Sequence, residues 1–216
     1  ISLSDLGDKD MRHAKEWPYP IRRAMANNSA IYRERPSAAE FLKEWGSLAL
    51  SGTGERGIFN LQAAQSKAPS RRYAPLIQGT NPCGEIMLRD MEFCNLSEVV
   101  VRAEDDLDTL LDKVETAAWL GVIQSTFTYF PYLRKEWKKN CDVERLLGVS
   151  LTGQMDNPAV TNFEALKALK SRVLRISRKA SKLLGVNTPV ATTCVKPSGT
   201  VSQLVDSASG VHPRFS

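Results

Sequence analysis

The chain reads as an α/β protein with parallel, buried strands, and three observations carry that expectation. Short apolar runs at 58–60, 99–101, 147–153 and 188–195 alternate with longer segments whose apolar residues recur about every 3.6 residues. The runs are compact and continuous, the pattern of strands covered on both faces by crossover helices. At 216 residues and 42% hydrophobic composition, the chain can bury a core of its own and reads as one domain.

The first helix is signalled from Pro36 onward. Ser37 is a good N-cap and Glu40, three residues later, completes a capping box; Phe41, Leu42, Trp45, Leu48 and Ala49 form an apolar face, and Gly52 ends it. The turn-rich stretch 51–57 leads into the strand at 58–60, and residues 61–80, polar and Pro-containing, read as a loop. After the strand at 99–101, Asp105 and Asp106 suit a helix N-terminus, and Leu107, Leu110, Leu111, Val114, Ala118 and Val122 keep the helical period to about Phe127. Residues 147–153 form the next strand, with Gly153 and Pro158 breaking the chain behind it. The helix over 163–184 places Leu166, Leu169, Val173, Ile176, Ala180 and Leu183 on one stripe, as a sheet-covering helix should, and Gly185 closes it. The last strand, 188–195, runs into the turn Pro197-Ser198-Gly199-Thr200 and a further short helix.

The densest chemistry lies in Asn81-Pro82-Cys83-Gly84-Glu85-Ile86, followed eleven residues after Cys83 by Cys94 in Phe93-Cys94-Asn95-Leu96-Ser97-Glu98. In an extended segment Asn81, Cys83 and Glu85 share one face. A thiol S–H bond is weak enough to be converted to a thiyl radical and strong enough for that radical to take a carbon-bound hydrogen. A neighbouring carboxylate can accept a proton, and a carboxamide can orient hydroxyl groups. Downstream, the small residues and open backbone of 197–200 precede a helix, where free N–H groups and the helix dipole suit phosphate; the P-loop spacing is absent. Lys196 and Arg214 are nearby cations.

The two cysteine segments closely resemble the active-site finger loop of ribonucleotide reductases. The likeness extends through Leu3-Ser4-Asp5-Leu6, Ala26-Asn27-Asn28-Ser29-Ala30, Gly54-Glu55-Arg56-Gly57-Ile58-Phe59-Asn60 and Gly148-Val149-Ser150-Leu151-Thr152-Gly153. The resemblance implies a ten-stranded α/β barrel with the finger loop threaded through its centre, of which residues 1–216 would be a middle to late portion. It implies that Cys83 becomes the radical that attacks the ribose, that Glu85 accepts the 3'-hydroxyl proton, and that Asn81 orients the sugar. Cys94 resembles one half of a redox dithiol whose other half has no counterpart here. Pro197, Ser198, Gly199 and Thr200 match the segment that grips the substrate phosphates, while Asn27, Asn28 and Ser29 match a segment near the substrate side of the barrel.

The spacing from Cys83 to Cys94 looks most like the monomeric class II branch. That branch implies ribonucleoside triphosphate substrates, adenosylcobalamin as cofactor and a thioredoxin-like protein or small dithiol as reductant. Glu85 disfavours the glycyl-radical class and the short cysteine spacing disfavours the di-iron class. The intact set of Asn81, Cys83, Glu85 and Cys94 argues against a non-catalytic nucleotide-binding barrel. Because the sequence opens on Ile1 and stops in mid-pattern, it reads as an interior piece, inactive alone.

The remaining composition is less specific. Cys83, Cys94, Cys141 and Cys194 include no C-x-x-C, which disfavours a zinc cage or a disulfide scaffold, and the last two are assigned to structure. A net charge of +5 agrees with a nucleotide ligand, but an excess this small is more often just a solvated surface. Basic blocks interleaved with aromatics are absent, so no nucleic-acid partner is expected. No apolar run approaches the length of about eighteen residues needed for a membrane span, and a soluble, cytoplasmic protein is expected.

Overall fold

The computed structural model describes residues 2–214. The two chain ends, on which the reading as an interior piece rests, lie outside them. The chain divides into two compact units: residues up to Ala68 together with Tyr73–Asp90, and Pro69–Arg72 together with Met91 onward.

The first unit contains β1 (Ser2–Asp5), α1 (Lys9–Arg12), β2 (Asn28–Tyr32), α2 (Ala38–Ser51), β3 (Gly57–Asn60), α3 (Leu61–Ser66), β4 (Ile77–Thr80) and β5 (Met87–Arg89). β1, β2 and β3 lie side by side in that order, all parallel, with Ser4 opposite Ala30 and Ala30 opposite Ile58. Parallel neighbours cannot be joined by a tight turn, so the segments carrying α1 and α2 return the chain to the starting edge. Ile31, Phe59, Leu61 and Ile77 form the core, with Leu3 and Met87 packed on it.

α2 begins as its sequence dictates. Ser37 Oγ accepts from the Glu40 amide at 3.3 Å, the Glu40 carboxylate accepts from the Ser37 amide at 3.0 Å, and Gly52 stops the helix at φ 64°. Its anchoring differs from the expected apolar face. Leu42 and Trp45 remain 65% and 52% exposed, and the buried residue of α2 is Glu44, paired with Arg12 and Arg56. The buried Arg56 guanidinium also donates to Ser4 Oγ at 2.8 Å and to the Asp5 and Leu6 carbonyls at 3.0 Å. A charged pair so enclosed is tolerated because its donors are met on several sides.

The loop expected over 61–80 is instead α3, a 3-10 turn at Ala74–Leu76 and β4. Asn60 ends β3, and its Oδ1 accepts from Ala63 N at 2.8 Å, so the helix starts directly from the strand. Each of α3 and β4 carries a single buried apolar anchor, Leu61 and Ile77, too sparse to register as a period.

The second unit contains β6 (Asn95–Val100), α4 (Leu107–Gln124), α5 (Lys135–Glu144), β7 (Leu147–Thr152), α6 (Phe163–Leu184) and α7 (Thr200–Leu204). β6 and β7 pair in parallel from Asn95–Leu147 to Val100–Thr152. Val99 and Val149 pack against Leu110, Val114, Ala117 and Ala118 of α4 and Leu169, Val173 and Ile176 of α6. Each such Leu, Ile or Val contributes about 1.5–3 kcal/mol relative to exposure. α6 has the expected bounds, but its buried stripe is rotated: Leu166 and Leu183 point outward, while Ala165, Ser177 and Ser181 are buried. The small side chains let the helix approach the sheet closely.

The strand expected at 188–195 is reduced to one parallel bridge, between Val149 and Thr193. The Leu147 and Val149 amides donate to the Ala191 and Thr192 carbonyls at 3.0 and 2.9 Å, and Pro189 withholds a donor from any longer ladder. Among the described residues, no helix is long and apolar enough to cross a membrane.

Gly153 follows β7 at φ 75°, and a Cβ there would lie 2.6 Å from the Val101 carbonyl oxygen. Gly153→Ala is therefore expected to destabilise the fold by about 1–3 kcal/mol in urea unfolding. Gly46→Ala serves as the control. Its Cβ meets nothing within 4 Å on α2, so it should be neutral or stabilising by up to about 1 kcal/mol.

Candidate active site

Residues 81–86 are not the extended segment that alternation predicts. They form the tip of the antiparallel β4–β5 hairpin. The Asn81 amide donates to the Ile86 carbonyl at 3.0 Å and the Ile86 amide donates back to Asn81 Oδ1 at 3.0 Å. Thr80 Oγ1 also donates to the Ile86 carbonyl, at 3.0 Å, and Gly84 N donates to the Asn81 carbonyl at 3.0 Å. Gly84 supplies the φ of 83° that the tip requires. Asn81 is buried, and its carboxamide oxygen accepts the hydrogen bond that closes the turn.

The tip presents Cys83 outward. Its side chain is exposed, and it lines a cavity of about 460 Å³ with Asn27, Asn28, Ser29, Thr53 and Gly54. Asn27 Nδ2 donates to the Pro82 carbonyl at 2.8 Å, which ties the start of β2 to the hairpin tip. Asn27, Asn28 and Ser29, suggested by resemblance alone, thus share a cavity with Cys83. Glu85 is half-buried, with one carboxylate oxygen withdrawn from solvent. Sequence reasoning missed Thr53 and Glu55 as cavity residues. The signal was the Gly-rich turn 51–57, whose loop brings backbone and short side chains close to the thiol.

Cys94 and the 197–200 turn belong to the second unit. Cys94 is half-buried, one residue ahead of β6, and the four cysteines form no disulfide with one another. Gly199 caps the five-residue α7, which starts at Thr200, and both are exposed; Pro197 is exposed as well. Ser198 is buried, and its carbonyl accepts from the hydroxyls of Ser202 at 2.6 Å and Ser209 at 2.7 Å. The Lys196 amide donates to Ser150 Oγ on β7 at 3.1 Å, fixing the turn to the sheet. A cavity of about 390 Å³ opens beside it, lined by Gly199, Ser202, Gln203, Ser209 and Arg214. Arg214 is held by Asp156 at 2.8 Å and Asp206 at 2.6 Å, so its charge is already matched by two carboxylates.

Parallel strands faced by helices, with an outward thiol on a hairpin tip, define the class. The family described as "Ribonucleotide reductase, barrel domain" matches residues 11–157, and the chain belongs to it. It is similar to the adenosylcobalamin-dependent ribonucleoside-triphosphate reductase of Lactobacillus acidophilus, 29% identical over 259 aligned residues covering 98% of this chain and 32% of that protein. The protein of the same description from Levilactobacillus brevis is 30% identical over 247 residues, covering 94% of this chain and 31% of that one. A solved B-12 dependent (class II) ribonucleotide reductase superposes with a TM-score of 0.76 at 25% identity, covering 97% of this chain and 34% of that one. The class Id ribonucleotide reductase alpha subunit of Actinobacillus ureae shares the fold, with a TM-score of 0.74 at 19% identity, covering 98% of this chain and 48% of that one. The chain therefore spans about a third of the length of the curated relatives it matches.

The segment behind the 197–200 turn should be sensitive to acid. The Asp156 carboxyl is held below its usual range, chiefly by the Arg214 guanidinium and further by the Ala208 amide, which donates to Oδ2 at 2.8 Å. A depressed folded value contributes stability above the ordinary carboxylate pKa, and that contribution is lost as pH falls through the folded value. Amides at 206–210 should thus lose protection below about pH 4 in hydrogen exchange, after correction for intrinsic rates. Asp156→Asn should remove that pH dependence.

Proposed function

We propose that the chain is the catalytic-barrel portion of an adenosylcobalamin-dependent ribonucleoside-triphosphate reductase, with the β4–β5 hairpin as the finger loop of a ten-stranded α/β barrel. The observation that carries the reading is the outward Cys83 thiol on a hairpin tip locked by Asn81 and Ile86, beside a cavity of about 460 Å³. The lining suits the approach of a bulky group to the sulfur. Gly54 and Gly84 add no side chain, and Asn27, Ser29 and Thr53 offer neutral hydrogen-bonding groups that would hold it. Adenosylcobalamin, when bound, supplies the one-electron oxidation that removes the thiol hydrogen.

The chain's own residues then divide the work. Cys83 takes the 3'-hydrogen of the ribose while Glu85 accepts the 3'-hydroxyl proton. The 2'-hydroxyl leaves as water, carrying a proton from a thiol. Cys94 and a second thiol from outside this chain together give two electrons and two protons and end as a disulfide. Cys83 returns its hydrogen to the 3'-carbon and Glu85 its proton to the 3'-oxygen, and the product is a 2'-deoxyribonucleotide for DNA synthesis. A thioredoxin-like protein or a small dithiol reduces the disulfide again, in the cytoplasm. The triphosphate lies at Pro197–Thr200, a turn fixed from behind by the hydroxyls of Ser202 and Ser209 and left open in front at Gly199.

Cys83→Ser in the full-length protein should bind nucleotide with unchanged affinity and form no deoxynucleotide above background, because an alkoxyl centre is not reached under the same driving force. Deoxynucleotide formation by this variant would remove Cys83 from the radical role. At Gly199 an added Cβ meets nothing within 4 Å, so the fold should accept Gly199→Val. Triphosphate affinity should nonetheless fall by about 1–3 kcal/mol in calorimetric titration, the scale of lost charge-assisted hydrogen bonds. Unchanged affinity would move the phosphates elsewhere.

A further inference from the structure

The residues on either side of Cys94 are held by one face of α5. Trp137, Asn140, Cys141 and Glu144 recur at helical spacing and so point the same way. Asn140 Nδ2 donates to the Met91 carbonyl at 3.2 Å. The fully enclosed Glu92 carboxylate meets Arg72 at 3.2 Å, and Arg72 meets Glu144 at 2.6 Å. The Phe93 amide donates to Cys141 Sγ at 3.4 Å, and the Phe93 ring packs on Trp137 and Phe130 with centroids 4.4 and 5.2 Å apart. Immediately after Cys94, Asn95 donates from both N and Nδ2 to the carbonyl of Leu146, two residues beyond α5, at 2.9 and 3.0 Å.

We infer that α5 is the positioning element for the Cys94 thiol and that Cys141, a sulfur bonded to the peptide next to Cys94, is its central residue. The inference rests on the proposed redox role of Cys94. Along β6, Ser97 and Val99 face the helices, Ser97 Oγ donating to the Ala117 carbonyl at 3.2 Å and Val99 lying in the α4–α6 core. Met91 and Phe93 are tied to α5 directly and Glu92 through Arg72, and Asn95 is tied to Leu146, so the backbone that carries the Cys94 side chain is fixed on both sides. Cys141 is suited to a passive role. It is 6% exposed, and burial pushes its thiol pKa up, so it stays protonated and accepts the Phe93 N–H without competing as a nucleophile. A thiol that must meet both a sugar and a partner thiol needs such fixed bearings, because small misplacements cost large factors in rate.

The test compares Cys141→Ala, which removes the acceptor, with Cys141→Ser, which keeps one, and with Asn140→Ala, which releases Met91 from the helix without opening the core. The full-length protein is used throughout. Two readouts are taken: the rate of Cys94 alkylation by iodoacetamide, followed by peptide mass spectrometry, and kcat and KM for nucleotide reduction. Cys141→Ala and Asn140→Ala should each change the Cys94 alkylation rate severalfold and lower kcat on the order of tenfold with KM unchanged, and Cys141→Ser should restore most of both. Native alkylation rates and kcat in both Cys141→Ala and Asn140→Ala, even with a lowered melting temperature, would overturn the inference and leave α5 as packing alone. If the unmutated protein reduces no nucleotide, the proposed function fails, while the alkylation rates still decide whether α5 positions Cys94. Should Cys141→Ala not fold, Asn140→Ala and Cys141→Ser carry the comparison, and native Cys94 reactivity in Asn140→Ala then counts against it.

Discussion

Parallel pairing is the constraint on which the rest of this structure depends. β1, β2 and β3 in one unit and β6 and β7 in the other run in the same direction, so every neighbour must be reached by a crossover long enough to return the chain. The crossovers carry α2 in the first unit and α4 and α5 in the second, and α4, together with α6, packs on β6 and β7 to build the second unit's core. Against this background β4–β5 is the one antiparallel pair among the described strands. A hairpin can end in a tight tip where a crossover cannot. That geometric freedom allows Cys83 to be held outward on six residues closed by Asn81 and Ile86.

Buried charge does what apolar stripes alone do not. In the first unit, Arg56 links Glu44 of α2 to Ser4 and to the end of β1. In the second, Arg72 bridges Glu92 and Glu144 with all three side chains nearly excluded from solvent. Removing one member of such a set would leave an uncompensated buried charge and cost about 3–5 kcal/mol. An apolar contact tolerates sliding by an ångström; a guanidinium with its donors matched to named oxygens does not. Both anchors lie close in sequence to the candidate site, Arg56 next to the cavity-lining turn and Glu92 two residues before Cys94. The hydrogen-bonded charge therefore sets position beside the candidate site, while the Leu, Ile and Val cores supply most of the stability.

Legibility in the sequence followed the range of the signal. α6 and α4 are readable within a few residues because each repeats one apolar period over many turns, with Asp106 opening α4 and Gly185 stopping α6. The capping box of α2 was readable because Ser37 and Glu40 satisfy each other locally. α3 and β4 are not, since one buried apolar residue apiece, Leu61 and Ile77, gives no period, and the stripe of α6 differs by the turn that brings Ser177 and Ser181 inward. Periodicity shows that a helix is amphipathic, not how close its neighbour will come.

By itself the sequence determined the α/β class, the long helices and, through the Asn81–Ile86 and Phe93–Glu98 segments, the family, because these are written in contiguous residues. Tertiary structure decided what those residues do for one another. It turned a stretch expected to be extended into a hairpin, engaged the Asn81 oxygen in closing the turn, gathered Asn27–Ser29 and Thr53–Glu55 around Cys83, and set Cys141 against the peptide beside Cys94. The physical reason is the same in each case. A hydrogen bond or an ion pair is chosen by proximity in space, and proximity between residues as far apart as Phe93 and Cys141 exists only after the parallel strands and their crossovers have packed.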